Sequence, residues 1–256
     1  MADSSHQPDG IAIAARDLEK RFENVTAVGG ISFDVRLGSV TALLGGNGAG
    51  KTTTIAMLLG LLVPTGGTIY VLGTDILADR HTALPRMNFS SPYVDMPHRL
   101  SVYENLLVYA NLYGVSEPRD RVRELARDLE LEAFLNRPLG KASAGQKTRA
   151  ALAKALINQP DLLLLDEPTA SLDPDTADWV RGYLDDYRRR TGATIVLASH
   201  NMAEIERLCD HVLIMKEGRI ADRGAPEELS ARYGRQNLEE VFLEIARSRN
   251  RAGAAR

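Results

Sequence analysis

The chain has 256 residues, of which 44% are hydrophobic and 25% charged, and its formal net charge is −3. This balance suits one globular unit with a sizeable core and excludes a strongly basic protein with a general affinity for nucleic acid or anionic membranes. The single cysteine, Cys209, excludes an internal disulfide framework and is typical of a reducing compartment. Because no apolar run approaches the ~20 residues that span a bilayer and the N-terminus has no secretory signal, we expect a soluble protein.

The first third of the chain alternates short apolar segments with turns. Ile31, Phe33 and Val35 alternate with polar neighbours, which is the period-two pattern of a half-buried strand. A helix follows the glycine-rich residues 45–50 and is predicted to end at Val63-Pro64. The elements predicted here are strands at 11–18, 31–35, 40–44 and 68–72, and a helix at 52–62.

The middle of the chain changes character. Residues 102–113 and 120–129 and the segment near Phe134 have helical patterns with no strand between them. We therefore predict a helical subdomain at 90–144, inserted in a core formed by 11–89 and 145–230, the whole making one domain at 11–230.

The last third returns to alternating helices and short apolar strands. This alternation predicts an α/β fold with a mainly parallel sheet covered by helices, together with an antiparallel part. The predicted elements are helices at 146–158, 176–190 and 202–209, strands at 162–165 and 194–198, and a hairpin of 212–215 with 219–221.

A separate C-terminal helix and basic tail are predicted at 231–256. Leu238, Val241, Phe242 and Ile245 share one face of a helix at 237–246, and residues 247–256 are basic and expected to fray. We expect the apolar face to dock on the chain's own core; a helix that binds a partner is the alternative.

A phosphate-binding motif stands between the strand at 40–44 and the following helix. It satisfies G-x-x-x-x-G-K-[ST] in the strand–loop–helix context that the motif requires. Backbone N–H groups and the helix N-terminus favour phosphate, Lys51 is predicted to reach the β- and γ-phosphates of ATP, and Thr52 to ligate Mg²⁺. The residues predicted to contact the nucleotide here are Gly45, Gly46, Asn47, Gly48, Ala49, Gly50, Lys51, Thr52 and Thr53.

A second motif is the run of four leucines at 162–165 followed by Asp166 and Glu167. A buried strand that ends in two carboxylates brings negative charge to the carboxyl edge of a sheet, where α/β proteins bind ligands. Asp166 is predicted to hold Mg²⁺ through its hydration shell. Glu167 is predicted to orient and deprotonate an attacking water, a general-base role.

Together with these two motifs, four segments resemble the ABC ATPases. Ala142-Ser143-Ala144-Gly145-Gln146 is similar to the family's LSGGQ-like signature, and the residues from Asp166 to Asp173-Pro174 resemble its acidic strand end and D-loop. Ser199-His200 resembles the switch histidine, and Phe22 stands where the family stacks an aromatic ring on adenine. The resemblance covers residues 11–229 and implies the P-loop NTPase fold.

The resemblance also implies that two copies of the protein act together as a head-to-tail dimer. Ser143, Gly145 and Gln146 of one copy, with Asp173 of the D-loop, would face ATP held on Lys51 and Thr52 of the other copy. ATP would close the dimer, and hydrolysis through Glu167 and His200 would release it. The implied partners are a second copy or a second ABC ATPase, and a transmembrane permease that holds the protein at the inner face of the cell membrane, with no nucleic acid.

The chain departs from the family pattern most at 87–92. Family members usually carry a glutamine here that contacts Mg²⁺ and senses the membrane partner, yet no glutamine lies between Gln7 and Gln146. The hydroxyl of Ser91, with Ser90 as the alternative, is the predicted substitute. Ala142, Ala144 and Gly46 are smaller departures that we expect to be tolerated.

Three functions remain open at this point. The chain resembles the ATPases of ABC-2-type, multidrug-like exporters in its tail, which begins at Asn237, and in having no predicted regulatory domain. The alternatives are a soluble ABC ATPase that does not act in transport, for example in cluster assembly, and a nucleotide-binding regulator without turnover. Intact Lys51, Asp166, Glu167 and His200 argue against the regulator.

Overall fold

The computed structural model describes residues 10–91, 95–170 and 172–252. The chain divides into two compact units: the first comprises the chain up to Ala83 and from Thr194 onward, and the second comprises Leu84–Ala193. The helical subdomain predicted at 90–144 is smaller than this second unit, and its boundaries stay a prediction. The polar N-terminus at 1–9, Ser171 of the D-loop segment, and residues 253–256 of the basic tail lie outside the described residues.

The strands of the described chain are short, apart from the first two. They are β1 (Ile11–Phe22), β2 (Val25–Arg36), β3 (Val40–Leu44), β4 (Gly66–Val71), β5 (Thr74–Asp75), β6 (Met87–Ser90), β7 (Leu162–Asp166), β8 (Thr194–Ser199), β9 (His211–Lys216) and β10 (Arg219–Gly224).

The α-helices of the described chain are α1 (Lys51–Leu58), α2 (Arg80–Ala83), α3 (Val102–Leu112), α4 (Pro118–Asp128), α5 (Ala144–Ala155), α6 (Pro174–Thr191), α7 (Met202–Leu208), α8 (Pro226–Tyr233) and α9 (Leu238–Ala252). Single 3₁₀ turns occur at Leu84–Arg86, Glu132–Phe134 and Leu139–Lys141. Within the described part of the chain, no helix is long and apolar enough to cross a lipid bilayer.

The first unit contains two groups of paired strands. Strands β2, β1, β4 and β5 form an antiparallel sheet in that order. Strand β3 pairs in parallel with β8 on one side and β9 on the other, and β10 adds to β9 as an antiparallel strand. Every residue of β3 and β8 is buried, which is why these strands read as continuous apolar runs rather than alternating ones.

The second unit combines a parallel strand pair with helices. Strands β6 and β7 run parallel, with Met87 paired to Leu162 and Ser90 paired to Leu165. Helices α3 and α4 pack on each other, and α3 begins with a capping box between Ser101 and Glu104. Between residues 95 and 144 of the described chain no strand occurs, as predicted. The α/β fold with parallel strands, an antiparallel part and a helical insertion is confirmed.

Several element boundaries differ from the predictions. Helix α1 ends at Leu58, four residues before the predicted end. It ends there because Gly60 adopts a left-handed φ of 64°, and the backbone amides of Leu61 and Leu62 both donate to the carbonyl oxygen of Ala56. The stop at Val63-Pro64 was therefore wrong. Strand β6 and helix α8 were not predicted, although Pro226 at the start and Gly234 (φ 61°) at the end of α8 are ordinary helix-end signals.

The C-terminal helix docks on its own unit. Leu238, Val241 and Ile245 are buried, Phe242 is half-buried, and α9 contacts α7 and α8. The prediction of docking on the chain's own core is confirmed, and the helix extends to Ala252, beyond the predicted end at 246.

Candidate functional site

The phosphate-binding motif forms the loop between β3 and α1. Gly48 and Gly50 adopt positive φ angles of 76° and 102°, which glycine reaches without a steric penalty. At Gly50, which caps α1, a Cβ atom would lie only 2.7 Å from the carbonyl oxygen of Ala27, so no side chain fits. A tight glycine-rich curl at the N-terminus of a helix is an arrangement that binds phosphate.

Lys51 lies inside this loop. Its Nζ donates to the carbonyl oxygens of Gly45 at 2.6 Å and Gly46 at 3.3 Å, and the residue is only 8% exposed. Thr52 is exposed and Thr53 half-buried in the first helical turn, which carries no acidic side chain. The N-terminus of α1 therefore carries the positive end of the helix dipole and the Lys51 ammonium group, and its first turn has no carboxylate. Both features favour binding of an anion.

His200 reaches the same sheet edge as the phosphate loop. Strands β3 and β8 are parallel with Leu44 opposite Ser199, so Gly45 and His200 are the first residues past two adjacent strand ends. The buried Ser199 hydroxyl donates to Glu204 at 2.8 Å and accepts from the amide of Asn201 at 3.1 Å. These contacts hold the strand end that carries His200, whose side chain is exposed.

Phe22 ends strand β1 and presents its ring to solvent. The residue is 45% exposed, and the Lys20 ammonium lies 5.0 Å from the ring centroid. Lys20 itself is tied to the carbonyl of Val63 at 2.8 Å. An exposed aromatic ring of this kind is available for stacking, and its contact with adenine stays a prediction.

In the second unit, Ser91 and Asp166 lie at neighbouring strand ends. The parallel ladder of β6 and β7 pairs Ser90 with Leu165, so Ser91 and Asp166 are the next residues on each side. Both are buried, at 8% and 2% exposure. A carboxylate and a hydroxyl supply oxygen ligands, which Mg²⁺ prefers, and the donor set therefore fits the predicted metal.

Glu167, directly after Asp166, adopts a left-handed backbone with φ 52°. This region costs a non-glycine residue roughly 1 kcal/mol. The carbonyl of Glu167 accepts from the amide of Ala170 at 3.1 Å, which closes a turn at the end of β7.

The signature segment forms the N-terminus of α5. The Ser143 hydroxyl accepts from the amide of Gln146 at 3.3 Å, and the Gln146 side chain accepts from the amide of Ser143 at 3.0 Å, which together make a capping box. Gly145 approaches α6, since a Cβ there would lie 3.4 Å from the Thr176 hydroxyl. The segment thus presents a capped helix N-terminus, a ready anion-binding arrangement.

Asp173 caps helix α6 in this structure. Its carboxylate accepts from the backbone amide of Thr176 at 3.0 Å and from the Thr176 hydroxyl at 2.8 Å. These hydrogen bonds lower the pKa of the Asp173 carboxyl below its ordinary value. Its predicted contact with nucleotide stays a prediction beside this observed role.

One contact in the second unit was missed by the sequence analysis. The Arg149 guanidinium lies 4.0 Å from the ring centroid of Trp179 and pairs with Glu130, while Trp179 stacks on Tyr183 at 5.6 Å. Because Arg149 follows the signature and Trp179 follows Asp173, this contact fixes α5 against α6. The only signal in the sequence was that Trp179 is the sole tryptophan.

A buried polar cluster behind β6 was missed as well. Lys154 of the signature helix donates to the Phe89 carbonyl at 2.9 Å and to the Asn88 side chain at 3.3 Å, and burial lowers the pKa of its ammonium group. Asn88 also bonds Asn158 at 2.8 Å and accepts from Tyr113 at 3.3 Å. The strand that leads to Ser91 is therefore held by the helix that begins at the signature.

The chain is similar to proteins of known family. The sequence model described as ABC transporter matches residues 28–170. Nod factor export ATP-binding protein I of Burkholderia orbicola is 40% identical over 216 residues, covering 84% of this chain and 71% of that protein. The protein of the same name in Paraburkholderia xenovorans is 38% identical over 90% of this chain and 76% of its own length.

Solved structures agree with this similarity. A structure described as the ATP binding subunit of an ABC transporter superposes with a TM-score of 0.83 at 28% identity, covering 92% of this chain and 99% of that one. The structure of cbiO1 from Clostridium perfringens, part of the ABC transporter complex cbiONQ, has a TM-score of 0.78 at 31% identity, covering 88% and 92%.

Proposed function

This chain belongs to the ABC transporter family, and from that premise we propose that it is the ATP-binding and ATP-hydrolysing subunit that powers an exporter. The observation that carries the proposal is the phosphate loop, where Lys51 is held among backbone carbonyls at the head of α1. Export is supported by relatives that are named for Nod factor export and are 40% identical.

The first unit supplies the groups that bind the nucleotide. Backbone amides of residues 45–50 and the Lys51 ammonium bind the β- and γ-phosphates of ATP, Thr53 supports the first turn, and Phe22 stacks on adenine. His200 contacts the γ-phosphate from the neighbouring strand end. The support for these roles is the tight glycine loop and the shared edge of β3 and β8.

The reaction is hydrolysis of the terminal phosphoanhydride bond by water. Glu167 orients the water and accepts its proton, a role typically worth 10²–10⁴ in rate. Thr52, Asp166 and Ser91 would hold Mg²⁺, which would neutralise charge on the phosphate oxygens. Ser91 takes the place of the glutamine that other family members carry, and the paired strand ends of β6 and β7 support this choice.

Two copies, or one copy and a second ABC ATPase, bind ATP head to tail. Ser143, Gly145 and Gln146 present the N-terminus of α5 to the phosphates of ATP on the opposite copy, with Asp173 beside it. The capping box supports this role, because it leaves the helix N-terminus formed and outward-facing, with Ser143 exposed. ATP binding closes the pair and hydrolysis opens it.

Replacing Ser143 by aspartate tests this dimer. Aspartate caps a helix as well as serine does, so α5 keeps its stability, but its negative charge repels the phosphates of ATP from the other copy. We expect Glu167→Gln protein to become dimeric with ATP, and Glu167→Gln/Ser143→Asp protein to stay monomeric, as measured by sedimentation velocity.

Ser101→Asp is the matched control, because Ser101 caps α3 with the same capping box. It should leave the ATP-dependent dimer intact. A dimer that forms equally well with Ser143→Asp would refute the head-to-tail arrangement.

The dimer drives a transmembrane permease of the ABC-2 type, which holds the subunit at the inner face of the cell membrane. A soluble ABC ATPase that acts outside transport is the alternative. Affinity capture from detergent-solubilised membranes, with Glu167→Gln protein and ATP, separates the two. We expect to recover a protein with several membrane-spanning helices, and inside-out vesicles containing both subunits should then accumulate substrate when ATP is added.

The control is the same capture experiment with Lys51→Met protein. Proteins recovered equally with both variants are counted as nonspecific binding. If only soluble assembly or ribosomal proteins are recovered, the transport function is wrong, although the ATPase activity would still stand.

A further inference from the structure

The C-terminal helix is tied to strand β9 by one lysine. Lys216, the last residue of β9, donates from Nζ to the carbonyl oxygen of Ile245 at 2.7 Å and to that of Ala246 at 3.0 Å. Both acceptors belong to the middle of α9. Hydrogen bonds from an ammonium group are among the stronger ones in proteins, so this contact fixes the end of β9 relative to the helix.

The turn after Lys216 in turn supports the phosphate loop. The amide of Gly218 donates to the Ala49 carbonyl at 3.1 Å, and the Gly218 carbonyl accepts from Gly29 at 2.8 Å. At the other end of the loop, Gly45 lies so close to Met215 that a Cβ would come within 2.7 Å of the Met215 carbonyl oxygen. The backbone of 215–218 therefore lies against both the start and the end of the loop.

Between α9 and the phosphate loop lies a cavity of about 220 Å³. Residues 46–49 form one side of it, and Phe242, Ile245 and Ala246 form another, with Lys216 also in the lining. Lys216 crosses from β9 to α9 beside this space.

We propose that Lys216 is a positioning residue for nucleotide binding, through which α9 holds the phosphate loop in its binding conformation. The inference rests on the proposed binding of ATP at this loop. Lys216 acts through residues 215–218 and is given no contact with the reacting atoms. If the loop had to become ordered when ATP binds, the entropy lost in ordering it would lower the affinity for ATP. A loop that is already ordered avoids this cost.

The test compares three variants of the full chain. Lys216→Met removes both hydrogen bonds but keeps an unbranched side chain, and Lys216→Arg keeps a cationic donor. Arg235→Met is the matched control, because it removes another cation and breaks the exposed 2.9 Å pair between Arg235, which precedes α9, and Glu244 on α9. Each is measured for ATP affinity without turnover, for KM and kcat, and for hydrogen exchange of the amides of 46–50.

We expect Lys216→Met to weaken ATP binding and raise KM by about three- to tenfold, with kcat within twofold and faster amide exchange in the loop. Lys216→Arg should restore most of the affinity, and Arg235→Met should bind ATP like the unaltered chain. If Lys216→Met does not fold, Lys216→Leu, which also removes the donor, is judged by the same measurements.

Three outcomes would overturn the proposal: unchanged affinity in the Lys216 variant, an equal loss in Arg235→Met, or a fall in kcat with KM unchanged. Failure of the unaltered chain to bind ATP at all would instead contradict the proposed function. The two failures are therefore distinguishable in one set of measurements.

Discussion

Glu167→Gln protein is expected to hydrolyse ATP about 10²–10⁴ times more slowly than the unaltered chain while still binding it. An amide cannot accept the proton of the attacking water, but it has the shape and hydrogen-bonding reach of the carboxylate. Glutamine also adopts the same backbone at φ 52° with no additional strain. Phosphate release at saturating ATP measures turnover, and equilibrium binding of a fluorescent ATP analogue measures affinity.

Glu132→Gln serves as the control, because Glu132 is an exposed glutamate in the same unit as Glu167. Its turnover should equal that of the unaltered chain. If Glu167→Gln keeps more than a tenth of the original rate, Glu167 is not the general base and another group must be sought.

Lys51→Met is expected to weaken ATP binding by about 100-fold, because truncating one partner of a close charge contact typically has effects of this order. Two effects act together. The variant loses the ammonium that we propose pairs with the phosphates, and it also loses the hydrogen bonds to Gly45 and Gly46. Isothermal titration with ATP in the presence of Mg²⁺ measures the loss.

The comparison variant is Arg123→Met, which removes a positive charge from the exposed face of α4. It should bind ATP normally, since an exposed charge on a helix surface contributes little. A folded Lys51→Met protein that binds within threefold of the unaltered chain would show that the phosphates are held elsewhere.

Much of this structure could be predicted from local sequence signals. The buried strands β3, β7 and β8 are unbroken apolar runs, and the phosphate loop is a contiguous motif whose glycines are needed for the conformations seen at Gly48 and Gly50. The capping box at Ser143 was also encoded locally, three residues from its partner Gln146. Such features depend on spacing along the chain, which a sequence shows directly.

Contacts between distant segments could not be predicted in the same way. Strand β6 was missed because Asn88 makes it look polar, yet Asn88 is buried and satisfied by Lys154 and Asn158, over 60 residues away. The tie between Lys216 and Ile245 depends on where α9 docks. In each case the hydrogen-bond partner that explains the residue lies far along the chain, and nothing in the local sequence pattern identifies that partner.

The left-handed backbone at Glu167 has a consequence for engineering this enzyme. Glycine suits that conformation better than any residue with a side chain, so a library screened for thermal stability alone should enrich glycine at 167 and lose the carboxylate that we propose as the general base. If Glu167 has the proposed role, sequences recovered from such a screen would be well folded and inactive. Position 167 should therefore be kept fixed, or the screen should report turnover together with stability.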